Sequence, residues 1–150
     1  MNICVISGLY ATEKSPYGGI FVYEQLKQLR NQGLSYKTYI IKREYSRGVA
    51  LIYRIIKRKS LNNSTVISWD KSEPIIPINC PVNIFDMILY FFFPKQYLKT
   101  ILKKITDNIE ISSDTIIHAH WTYPEGYYAV QLAKKNNVPC VVTAHGSDIH

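Results

Sequence analysis

Short apolar runs of β type alternate along this chain with segments whose apolar residues recur at helical spacing, and this alternation constrains the fold more than any other feature. Such runs must pair into a sheet, and the helical stripes between them must cover it. Residues 2–7 read as a first strand, followed by a loop that Gly18-Gly19 closes. A helix over residues 20–32 comes next, with Val22, Leu26 and Leu29 on one face and Gly33 placed to stop it. Residues 36–41 read as a second strand and 49–58 as a helix. Residues 65–69 and 75–78 look like short strands, with Pro74, Pro77 and Pro81 breaking up the chain around them. Pro94 suits a helix first turn, after which Leu98, Ile101, Leu102 and Ile105 form one stripe. A strand over 115–119, a helix over 125–136 and a strand over 140–144 complete the pattern. The expected class is α/β, a mostly parallel sheet flanked by helices.

With 150 residues the chain can bury one hydrophobic core, so residues 1–150 are expected to form a single domain. Its 47% hydrophobic and 19% charged content is a globular balance rather than a disordered one. Cys4, Cys80 and Cys140 are odd in number and form no C-x-x-C, and the first and last lie in strand-like runs. They read as reduced core thiols of a cytoplasmic protein. The first residues lack the basic start and long apolar stretch of a secretory signal. The longest apolar block, Met87 to Phe93, falls well short of the ~20 residues that cross a bilayer. Without export, the overlapping N-x-S/T sites at Asn62 and Asn63 have no glycosylation consequence.

The formal charge of +7 is concentrated in two places. Lys42, Arg43, Arg47, Arg54, Lys57, Arg58 and Lys59 flank the apolar Val49, Leu51, Ile52, Ile55 and Ile56. Lys95, Lys99, Lys103 and Lys104 follow the aromatic run from Tyr90 to Phe93. Either cluster is compatible with a solvated helix face beside the core. Together they fit peripheral contact with an anionic bilayer, at the inner face of a membrane. No nucleic-acid-binding motif accompanies them, so nucleic acid is not an expected partner.

Three stretches carry chemistry. Gly18-Gly19, between a loop and a helix, allows close backbone approach to a ligand opposite the free N–H groups of the helix start, a seat for phosphate; a tight turn that merely begins a helix is the plainer reading. His118-Ala119-His120-Trp121 ends a strand, where alternate residues share a face, so both histidines point the same way. They form either a metal pair, completed by His145, Asp148 or His150, or a polar cluster around a sugar or phosphate with Trp121 or Tyr123 as a stacking surface; His118 also fits a purely structural place under the loop. No helical H-E-x-x-H occurs, and the metal spacing is only loosely matched. His145 follows Val141-Val142-Thr143-Ala144 at the carboxyl end of a strand, where open α/β sheets build sites. Asp148 is placed to orient that imidazole or to cap a following helix.

In order along the chain, Gly18-Gly19-Ile20-Phe21-Val22, then His118-Ala119-His120-Trp121-Thr122-Tyr123-Pro124-Glu125-Gly126, then Val138-Pro139 leading to Thr143-Ala144-His145-Gly146-Ser147-Asp148, resemble the amino-terminal half of family-4 retaining glycosyltransferases. The resemblance runs from end to end. It implies the Rossmann-like amino-terminal lobe of a GT-B architecture, which mainly holds the acceptor. It further implies that Gly18 and Gly19 approach the donor phosphates and that His145 lies near the donor sugar as the catalytic-site histidine. Tyr10, His120, Trp121, Tyr123 and Glu125 become acceptor-binding candidates. A nucleotide-sugar is then a co-substrate rather than a cofactor, and the acceptor is a glycan or lipid-linked sugar of cell-surface polysaccharide synthesis. The donor pocket and E-x7-E segment of such enzymes belong to a carboxyl-terminal domain not present in these residues, so the chain alone is expected to be inactive unless a separate donor-domain chain completes it. A non-catalytic carbohydrate-binding module and a metal-dependent hydrolase built on His118 and His120 are the competing readings.

Overall fold

The computed structural model describes residues 1–12, 15–57, 73 and 75–146. Five parallel strands, β1 (Asn2–Ser7), β2 (Ser35–Tyr45), β3 (Ile75–Val82), β4 (Thr115–His120) and β5 (Cys140–Thr143), form one sheet in the order β3-β2-β1-β4-β5. The helices between them are α1 (Ile20–Asn31), α2 (Arg47–Lys57), α3 (Ile84–Phe92), α4 (Pro94–Thr106) and α5 (Tyr127–Asn136). The chain therefore has the expected Rossmann-like α/β architecture. It runs outward from β1 to β3 and then returns to the other side of β1 to lay down β4 and β5. That reversal opens a crevice at the carboxyl ends of β1 and β4.

Strand alternation divides the core in two. Ile3 and Val5 of β1, with Ile40 of β2, face α1 and pack on Val22 and Leu26. Cys4 and Ile6, with Tyr39 and Ile41, face α4 and α5, where Ile101, Ile105 and Leu132 are almost fully buried. Each fully buried aliphatic side chain contributes about 1.5–3 kcal/mol of transfer free energy. Gly33 ends α1 as expected, with φ +72°, while the Leu34 N–H donates to the Leu29 carbonyl at 3.1 Å.

The middle third departs from the sequence-based expectation. β2 continues to Tyr45, and β3 runs unbroken to Val82 through both Pro77 and Pro81. β3 is an edge strand, and its alternate residues face opposite ways: the Val82 carbonyl accepts from the Ser46 N–H beyond β2 (2.9 Å), whereas the Pro81 carbonyl accepts from Lys104 Nζ on α4 (2.7 Å). Pro77 and Pro81 share the outward parity, where a missing N–H costs no ladder bond. Helix α3 was not legible in the aromatic run. It begins in a reciprocal cap, with the Asp86 N–H donating to Asn83 Oδ1 and the Asn83 N–H to Asp86 Oδ2 (2.9 and 3.0 Å). Lys104 Nζ also meets the buried Asp86 carboxylate at 2.9 Å, tying α3 to α4. The helix expected from residue 125 begins two residues later, because Thr122–Gly126 form a wide turn ahead of α5.

Cys4 and Cys80 are buried and Cys140 is half-buried, a correction to the fully buried place expected of it, and all three are free thiols. Burial pushes the Cys4 thiol up to about 12. The expected strand over 65–69, the sequons at Asn62 and Asn63, and Arg58, Lys59 and Pro74 lie outside the described residues.

Gly19 and Gly33 share a positive φ, +71° and +72°, but differ in surroundings. A Cβ on Gly19 would sit 2.9 Å from the Leu9 carbonyl carbon and the Tyr10 nitrogen, whereas one on Gly33 would meet nothing within 4 Å. Gly33→Ala is expected to cost about 1–2 kcal/mol, the backbone penalty alone. Gly19→Ala is expected to cost clearly more, measured by urea unfolding. Equal losses would contradict the close seating of α1 against the loop after β1.

Candidate functional site

The crevice at the end of β1 and β4 is a cleft of about 410 Å³. Gly8 and Leu9 contribute one wall from the exit of β1, and Ile40, Lys42, Arg43 and Tyr45 line it from β2. Trp121, Tyr123, Pro124 and Glu125 close it from the exit of β4, with Tyr128 of α5 beneath. Ser7 fixes the β1 exit, because its buried hydroxyl donates to the Leu9 carbonyl (2.6 Å) and accepts from the Leu9 N–H (3.3 Å). Glu125 is buried with its carboxylate against Gly8, so the loops after β1 and β4 touch at the floor of the cleft. Tyr123 is 51% exposed at the rim, joined to Pro124 by a cis peptide bond.

Beside the cleft stands a stack of rings. His118 and His120 lie on one face of β4 with centroids 4.6 Å apart, as strand alternation requires. His118 Nε2 pairs with Thr143 Oγ1 of β5 at 2.8 Å, and His120 Nδ1 pairs with His145 Nε2 at 3.1 Å. The His145 ring then packs 4.2 Å from Phe21, in the first turn of α1, and 4.8 Å from Trp121. The entrance to α1 at Gly18-Gly19 and His145 at the end of β5 therefore share one rim of the molecule. No acidic side chain occupies the first turn of α1, and among the described residues none caps it, so the positive end of the helix dipole carries no side-chain anion, while the Ile20 and Val22 N–H groups donate to the Tyr17 and Gly19 carbonyls (3.5 and 3.0 Å).

Trp121 carries the strain of this arrangement. Its backbone takes φ +71°, ψ 141°, a conformation that residues with side chains rarely adopt and that costs on the order of 1–3 kcal/mol. Two hydrogen bonds hold it there: its N–H donates to the Thr143 carbonyl at 2.9 Å, and its carbonyl accepts from the Gly126 N–H at 3.0 Å. The indole so placed lines the cleft and packs on both His145 and Phe21.

Of the residues expected to bind acceptor, Trp121, Tyr123 and Glu125 line the cleft and His120 lies fully buried behind Trp121. Tyr10 does not line it; the ring is buried in the core with Val22 and Leu26 and meets Tyr23 edge-on at 6.4 Å. Asp148 and His150 lie outside the described residues. Among the described residues no group of three His, Cys, Asp or Glu is arranged to hold a metal, and His118 and His120 point into hydrogen bonds with Thr143 and His145. Several contributors were missed, among them Gly8, Leu9, Tyr45 and Tyr128 of the cleft lining. Lys42 and Arg43 were read as surface charge, although they directly follow the apolar core of β2 and so sit at a strand's carboxyl end, and Phe21 carried no polar group to mark it.

Burial pushes the His120 imidazole from 6.5 down to about 3, with His118 and His145 pushing the same way, and burial likewise lowers His118. His120 stays neutral in the fold while the unfolded chain takes up protons below pH 6.5, so its contribution to stability is full above pH 6.5 and is lost as pH drops towards 3, and the lowered His118 acts in the same direction. In that window His120 contributes a slope of up to about 1.4 kcal/mol per pH unit. Urea unfolding of the wild type between pH 7 and 4 is expected to show a steeper decline than His120→Asn, and parallel declines would contradict a neutral buried His120.

Residues 18–150, which include the glycine entrance to α1, the histidine stack and the cleft apart from its Gly8-Leu9 wall, match the family model described as glycosyl transferase 4-like. The whole chain also aligns, at 24% identity over 151 residues, with a Bacillus subtilis (strain 168) protein provisionally named teichuronic acid biosynthesis glycosyltransferase TuaC. The alignment covers 100% of this chain but spans only 37% of that relative's length. With the family model covering all but the first strand and its exit loop, the chain belongs to the glycosyl transferase 4-like family.

Proposed function

We propose that this chain is the acceptor-binding lobe of a retaining glycosyltransferase that moves a sugar from a nucleotide-sugar to a glycan or lipid-linked acceptor in cell-surface polysaccharide synthesis. One observation carries the reading: the cleft of about 410 Å³ sits at the strand reversal, is walled by Trp121 and Tyr123, and opens beside the rim shared by His145 and the start of α1. Aromatic faces with a few fixed polar groups suit a sugar. The provisional name of the B. subtilis relative, in teichuronic acid biosynthesis, agrees with a polysaccharide product.

Breaking a sugar–phosphate bond builds negative charge on the departing diphosphate while the anomeric carbon becomes cationic. The positive end of the α1 dipole, approached through Gly18 and Gly19, would meet part of the phosphate charge without any side chain. His145, held by His120, Phe21 and Trp121, would present its imidazole to a donor-sugar hydroxyl in a fixed orientation. Glu125 and Tyr123 would orient the acceptor on the opposite side. The remaining donor contacts would come from a second domain or a separate chain. The enzyme would act in the cytoplasm, at the inner face of the membrane; among the described residues no helix is long and apolar enough to cross one.

Screening nucleotide-sugars, oligosaccharides and lipid-linked sugars by thermal shift tests the reading. The 150-residue chain alone is expected to bind acceptor sugars yet give no transfer from any nucleotide-sugar. Tyr123→Ala, on the exposed rim, is expected to weaken acceptor binding about tenfold, roughly 1.4 kcal/mol, with an unchanged melting temperature. Unaltered affinity for every saccharide that binds would place the acceptor elsewhere.

A further inference from the structure

The cleft does not end at Arg43. A second cavity of about 200 Å³ shares Arg43 and Tyr45 with it and continues past Tyr53, Val82 and Met87. That cavity in turn shares Tyr53, Met87 and Phe91 with a third, a groove of about 240 Å³ between α2 and α3. The chemistry changes along the path. The cleft is polar and aromatic, the middle holds a guanidinium, and the groove is apolar throughout, lined by Val49, Ile52, Ile84, Met87, Ile88 and Phe91. Ile52, Ile88 and Phe91 are 43%, 46% and 68% exposed, so a face that would be unfavourable in water stands open.

Arg43 is built into this path. Its guanidinium lies 6.0 Å from the Tyr90 ring centroid and 5.9 Å from that of Tyr97, and Tyr45 hydrogen-bonds it. These phenols orient the charge without neutralising it. Sheet alternation puts the neighbouring Glu44 on the opposite face. A cation between a sugar-sized cleft and an apolar groove matches one kind of molecule, a sugar joined through phosphate to a hydrocarbon chain.

The geometry points to a lipid-phosphate acceptor that lies along all three cavities, its sugar in the cleft, its phosphate on Arg43 and its first apolar units in the groove between α2 and α3. This rests on the acceptor reading of the cleft and narrows it to one substrate class. The exposed basic residues Arg47 and Arg54 on α2, with Lys95 and Lys99 on α4, attract the anionic surface from which such a chain emerges.

Calorimetric titration of the 150-residue chain with geranylgeranyl phosphate tests the proposal, against geranylgeraniol, inorganic phosphate and phosphatidylglycerol vesicles. Saturable binding of the lipid phosphate is expected, with each half alone at least about tenfold weaker. Arg43→Gln is expected to lower affinity for the phosphate but not for the alcohol, whereas Ile88→Asp and Phe91→Ser lower both and Lys134→Gln lowers neither. Circular dichroism melts confirm that the variants fold; two exposed groove positions guard against the failure of one. Four results overturn the proposal: no saturable lipid binding, equal affinity for alcohol and phosphate, vesicle attachment that ignores Arg43→Gln and Ile88→Asp, or a dimer that Ile88→Asp dissociates. Saccharides that bind a chain indifferent to geranylgeranyl phosphate would overturn this inference alone, and lipid phosphate binding with no saccharide bound would overturn the acceptor reading of the cleft and with it the sugar end of this inference, leaving the contacts of Arg43 and the groove.

Discussion

The reversal of chain direction at β1 is the constraint on which the rest depends. Because β1 pairs in parallel with both β2 and β4, the crossovers that leave its two sides run in opposite senses, and no helix can close over the carboxyl ends of β1 and β4 together. The opening is a consequence of topology. Everything with chemical character then arrives there from separate places in the chain: the start of α1, the basic end of β2, the turn after β4 and the segment after β5.

The site is held by unfavourable elements that compensate one another. Trp121 sits in a strained backbone conformation, and two neutral histidines are buried behind it at the expense of their ordinary protonation. Thr143 connects them: its hydroxyl pairs with His118 and its carbonyl accepts from the Trp121 N–H, so the short strand β5 braces β4 from the side. His145 follows two residues later and is pinned by the ring of His120 on one side and Phe21 on the other. An imidazole at a strand end, supported by a packed row of side chains behind it, is the kind of arrangement that holds a ligand in one orientation.

Much of this was legible in the sequence, for definite reasons. β1, α1, β4, α5 and β5 were read almost to the residue because strand alternation and helical spacing each bury one clear face, and the shared face of His118 and His120 follows from alternation alone. Helix α3 was hidden because residues 84–93 are apolar nearly all round, with no polar stripe to give a period; much of that apolar surface stands in the open. β3 was cut short because prolines at 77 and 81 signal a break, and only the pairing partner reveals that they face away from it. Tyr10 was taken for a ligand contact because it follows a strand, yet the turn at Ser7 and Leu9 folds it back under α1. Lys42 and Arg43 looked like surface charge because the true length of β2 was not apparent.

Backbone amide shifts of the nitrogen-15-labelled chain, recorded with whichever saccharides bind, test the central claim most directly. If the strand reversal builds the site, the largest changes fall on residues 8–9, 42–45 and 121–126, all at one end of the sheet. Changes centred instead on Asn2, Ser35 and Ser112, at the opposite end, would contradict it.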